Sequence, residues 1–174
     1  MSEEQPIEGA VGVEIVVRGI RRGPLRTRKN PFTGEVETSA KLEMNDEEFR
    51  AATAIMAAYG GIDEYGEGRL ALPTAQIEIW GFRDYNGCTI NLIGELRGAC
   101  DFVFELATAA RLVVQFESAA GDASALVTTA ELLTQARALD DAAHEELGPI
   151  VLVADAAAMW RALARPGAQP PGIA

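Results

Sequence analysis

The chain has little of what catalysis and covalent stapling usually draw on: 174 residues include one histidine, His144, and two cysteines, Cys88 and Cys100. A zinc site needs three or four Cys and His ligands at metal spacing, which one His and two isolated Cys do not supply. In a reducing compartment the two thiols are expected to serve as small apolar side chains rather than as a disulfide. His144 lies in the polar run DDAAHEE, the pattern of a solvated helix end. No GxSxG elbow, GxxxxGK[ST] phosphate loop, GxGxxG or HExxH occurs, so the usual signatures of serine, nucleotide-dependent and zinc-hydrolase chemistry are missing and no metal or cofactor is expected.

Long apolar runs are missing too. The longest, such as Pro149 to Val153, are strand-sized, far short of the roughly 18 residues that cross a bilayer. The N-terminus, MSEEQPIEG, is acidic and polar where a secretory signal starts basic and turns hydrophobic, so the expected location is the cytoplasm, with no membrane partner. Lysine is scarce: 13 Arg stand against 2 Lys, and with many Ala and Gly this is the bias of a GC-rich bacterial genome.

What is present is an ordinary globular composition, 48% hydrophobic and 24% charged, at a length that fits one domain with its own core. Residues 1–9 and the Pro/Gly-rich 166–174 read as flexible tails, and 10–165 as a single domain without linker or repeat.

Alternation from Val11 to Ile20 predicts a half-buried strand, and 25–29 with 36–44 predicts a hairpin around NPFTGE. Asn45 with Glu48 makes a capping box, and Phe49, Ala52, Ile55, Met56 and Tyr59 form the apolar stripe of a helix stopped by Gly60-Gly61. Asn86-Gly87 predicts a two-residue turn joining strands over 75–98. Setting Tyr85 opposite Cys88 brings Ile77, Ile79 and Gly81 across from Leu96, Gly94 and Leu92, and Trp80 across from Ile93. Residues 99–111 fit a helix, with strand as the alternative, and 112–117 a strand. A turn at Gly121-Asp122, one helix over 128–147, a short buried strand at 150–153 and a last helix capped by Asp155 complete the order. Strands first and helices later predict an α+β fold, a mostly antiparallel sheet with three to four helices packed on one side.

Charge is the least ordinary feature. The net charge is -11, yet Arg18, Arg21, Arg22, Arg26, Arg28 and Lys29 fall in twelve residues with no acid among them. Phosphate would be repelled by most of such a surface. A nucleic-acid role rests on this segment alone, with Phe32 its only interleaved aromatic. The segment reads either as a hairpin salt-bridged to Glu35 and Glu37, which protects an edge from other strands, or as an arginine-rich arm that grips an acidic partner.

The acidic candidates are Asp63, Glu64 and Glu67 in IDEYGEG, and Asp140, Asp141, Glu145 and Glu146 around His144. IDEYGEG lacks the spacing of a calcium loop. Carboxylate-only catalysis remains open through that loop, or through Glu78 and Glu95, which the assumed register sets face to face.

Three functions follow. The first is a non-enzymatic acidic binding protein, in its sharpest form an immunity or antidote protein that neutralises a basic toxin by charge-steered encounter. The second is an adaptor or structural component of a larger assembly, of phage or secretion type, docking through the hairpin of 18–37. The third is an enzyme with a carboxylate site.

Overall fold

The computed structural model describes residues 12–117 and 123–164. The two expected tails, Val11 and the turn at Gly121-Asp122 lie outside them.

Strands β1 (Val13–Arg18), β2 (Arg21–Arg22), β3 (Arg26–Lys29), β4 (Val36–Ser39) and β5 (Leu42–Glu43) come first, followed by helix α1 (Asp46–Ala58). Next are β6 (Gly68–Ala71), β7 (Ala75–Trp80), β8 (Gly87–Gly94) and α2 (Leu96–Ala109). Last come β9 (Val113–Glu117), β10 (Ala123–Val127), α3 (Ala130–Arg137), α4 (Asp141–Leu147), β11 (Ile150–Leu152) and α5 (Ala156–Leu163). The main sheet has seven strands in the order β11-β10-β9-β1-β8-β7-β6. All neighbours are antiparallel except β10 and β11, which run parallel. The class is α+β, as the sequence predicts.

Period-two alternation explains both faces of the sheet. Ile15, Val17, Ile77, Ile79, Ile90, Leu92, Val114 and Leu126 point to one side, where they meet Met56 of α1, Phe102 and Leu106 of α2, and Met159 and Leu163 of α5. Their alternates Val113, Ala125 and Val127 point the other way and pack with Leu132 and Ala136 of α3 and Leu147 of α4. Helices therefore lie on both faces rather than on one side, and the described residues form five of them, close to the three to four expected. The single expected helix over 128–147 is two, because Asp140 accepts the backbone N–H of Ala143 and starts α4 afresh.

Two local expectations shift. The loop between β7 and β8 spans 81–86, since Phe82 turns inward, 2% exposed, and stacks on Phe49 of α1 at 4.9 Å. The pairing is Ile77 with Leu92, Ile79 with Ile90 and Trp80 with Thr89, four residues away from the register that a two-residue turn would impose. The shift is even, so Ile79 and Leu92 still share the core face, as predicted. Gly87 is the first residue of β8; at φ +132 any Cβ there would run into the Val17 carbonyl of β1. The second shift is at β11, which is an edge strand with Val151 and Leu152 exposed rather than a buried one.

Candidate functional site

Strands β3 and β4 form a two-stranded sheet of their own. Their turn is held by Asn30: its side-chain oxygen accepts the N–H groups of Phe32 and Thr33, its carbonyl accepts that of Gly34, and its own N–H donates to Glu35. Every residue from 24 to 38 whose exposure is described is exposed, Phe32 at the tip to 95%. The segment is an arm.

Its base is fixed by charge. Arg22 donates through Nε to Asp140 Oδ2 at 3.0 Å and through Nη2 to Oδ1, while Nη1 donates to the Ala40 carbonyl at 2.6 Å. One guanidinium thus ties both roots of the arm to the N-cap of α4. The Arg22 guanidinium, with the Ala143 N–H, holds the Asp140 carboxyl below the usual carboxylate range. Arg18 pairs with Glu146 at the other end of α4, and Arg26 with Glu43 at 3.2 Å. The Glu43 carboxylate folds over Gly23, where a side chain would collide with it.

Beneath lies Glu48, 3% exposed, whose Oε1 accepts from Arg21 Nε at 3.1 Å and whose Oε2 accepts the Asn45 N–H of the capping box at 3.0 Å. Arg111 Nε lies 3.9 Å from the same carboxylate, and Arg111 Nη2 donates to Glu131 at 2.7 Å.

The sequence-derived sites therefore merge in part. Arg18 and Arg22 from the basic set and Glu146 and Asp140 from the acidic set are partners within one network, and Arg21 and Arg26 are spent on Glu48 and Glu43. Among the described residues, Arg28 and Lys29 make no ion pair; Glu37 lies opposite Arg28 and Val36 opposite Lys29, so the expected pairing of the whole arm with Glu35 and Glu37 is not what neutralises it. Glu43, Glu48, Arg111 and Glu131 were not singled out by sequence. The capping box marked Glu48 for α1, but its burial between two arginines depends on chain crossings that no local pattern records.

Asp63, Glu64 and Glu67 sit exposed in the loop before β6, on the far edge of the sheet. Asp63 is occupied there in accepting the N–H groups of Tyr65 and Glu67 at 2.9 Å. Asp141 and Glu145 are exposed on α4. Glu78 and Glu95 do not face each other: Glu78 lies opposite Asn91 and pairs with Arg69, and Glu95 is the N-cap of α2. The like-charge pair offered for catalysis is absent.

Cys88 and Cys100 are buried and free, and burial pushes both thiols up to about 12, away from nucleophilic use at neutral pH. Among the described residues no group of three or more His, Cys, Asp and Glu side chains gathers as a metal site, and no helix is long and apolar enough to cross a membrane. Compared with known proteins, the chain matches no family model, no curated protein and no solved structure.

Proposed function

We propose that this chain is a protein-binding component, an adaptor or structural part of a larger assembly, that docks through the β3–β4 arm. The observation that carries the reading is the arm itself: a two-stranded hairpin, marginal alone in water, anchored at its base by the Arg22–Asp140 and Arg26–Glu43 ion pairs, with Phe32, Leu25 and Val36 exposed. A surface of this kind stays soluble in isolation yet offers aromatic and aliphatic anchors to a partner.

The immunity reading keeps support from the exposed acids Asp63, Glu64, Glu67, Asp141 and Glu145, but Asp140 and Glu146 are engaged internally. Arg18, Arg21, Arg22 and Arg26 are engaged in the same way, which weakens the case for phosphate contacts. Replacing them would test stability rather than docking. Photo-crosslinking in the native host separates the two readings: a benzoylphenylalanine at position 32 should give a discrete adduct that Val36→Glu abolishes, while one at position 64 should give none. Adducts from position 64 alone would replace the arm by the acidic surface as the docking element.

A further inference from the structure

The asparagines of the chain, Asn30, Asn45, Asn86 and Asn91, differ in the residue that follows. Pro31 has no backbone N–H, Asp46 and Leu92 crowd their own nitrogens with a side chain, and only Asn86 precedes a glycine. An asparagine side chain is open to attack by the next backbone nitrogen when nothing shields that nitrogen. The Gly87 nitrogen, on losing its proton, forms a bond to Asn86 Cγ; the side-chain nitrogen leaves as ammonia, and a cyclic succinimide remains. Water then opens the ring at either carbonyl. The product is an aspartate at position 86, or an isoaspartate whose side-chain carbon has entered the main chain. No oxidant, reductant or cofactor takes part.

The fold holds this link in place. The Asn86 carbonyl accepts the Gly19 N–H at 3.2 Å, the Gly87 N–H donates to the Asp84 carbonyl at 3.4 Å, and Gly87 pairs with Arg18 of β1. A Cβ on Gly87 would stand 1.8 Å from the Val17 carbonyl oxygen, so β1 lies directly against this backbone. Closing the ring turns the Gly87 nitrogen toward the Asn86 side chain, and these contacts oppose the turn. One residue earlier, the Tyr85 carbonyl accepts the Met44 N–H at 2.6 Å. Gly19 and Met44 flank the segment that carries β2, the arm and β5. Two consecutive carbonyls thus seat both ends of that segment.

We propose that Asn86 is a deamidation site gated by the fold. The closed structure suppresses the reaction, opening of the β1–β8 pair at this end releases it, and an isoaspartate at position 86 then unseats the segment 19–44. The added main-chain carbon falls beside the contact of Gly87 with Val17, where there is no space for it, so the carbonyls at 85 and 86 shift off their donors.

The test incubates the full chain in mildly alkaline buffer, with and without denaturing guanidinium chloride, and follows each asparagine by peptide mass spectrometry that separates aspartate from isoaspartate. Conversion at position 86 should be roughly tenfold or more faster in denaturant than in the native state, and faster than at positions 30, 45 and 91 in either. Equal rates in the two states, or no preference for position 86 in denaturant, would overturn the proposal. Hydrogen exchange reads the consequence. In the purified isoaspartate form the Gly19 and Met44 amides should exchange roughly tenfold or more faster, with Val103 and Leu106 inside α2 unchanged. Asn86→Asp, which adds the charge without lengthening the main chain, should keep both amides protected. Unchanged protection in the isoaspartate form, or an equal loss in Asn86→Asp, would contradict the unseating.

Discussion

Arg22 shows how a residue that looks like a ligand grip can be a structural clamp. Its three donor nitrogens are spent on Asp140 and on the Ala40 carbonyl, so both ends of the arm are tied to the start of α4. Asp140→Asn keeps a good N-cap for α4 and removes only the charge, which isolates the pair. The folded carboxyl lies below its ordinary value, so the pair contributes fully above the unfolded titration range and is lost as pH falls through the folded value. Urea unfolding of wild type and Asp140→Asn should therefore differ at pH 7 and converge on acidification below about pH 4. Equal stability at both pH values would show that the pair does not fix the arm. Asn45→Ala should cost about 1 kcal/mol in the same assay, since it deletes the side chain that accepts the Glu48 N–H at 2.8 Å.

Elements with a local signature were legible. The capping box and apolar stripe gave α1, spacings of three and four gave α2, Asp155 gave the start of α5, alternation gave β1, and the Asn86-Gly87 signal gave β7 and β8 as neighbouring strands. The register of β7 on β8 was not, because Asn86-Gly87 is a strong turn signal that tertiary packing overrides. Phe82 is drawn into the core against Phe49, and the connection lengthens to admit it. Phe82→Ala should accordingly destabilise by about 3–5 kcal/mol, the range for emptying a buried aromatic site. A loss under about 1 kcal/mol would mean the loop does not depend on this anchor. The division of α3 from α4 had its own signal in Asp140, which apolar spacing over 128–147 masked.

On the scale of the whole molecule the layer class was readable and the strand order was not. β1 pairs with β8 and β9, and β10 pairs in parallel with β11, contacts that join segments far apart in sequence. The same holds for charge: the segment 18–29 stands out as basic in the sequence, but its partners at 43, 48, 140 and 146 are found only once the chain is folded. With an extensive apolar core and two free buried thiols, thermal unfolding should be cooperative, with a midpoint that neither EDTA nor reductant shifts. A drop of many degrees with either reagent would refute that independence. The central claim, that the arm is a docking element, is tested most directly by cysteine accessibility. With Cys88 and Cys100 buried, Thr38→Cys on β4 reports the arm and Arg83→Cys an exposed loop of the body. In the native host a maleimide should label position 38 at least several-fold more slowly than in dilute purified protein, with position 83 unchanged; equal labelling of position 38 in both settings would contradict the account.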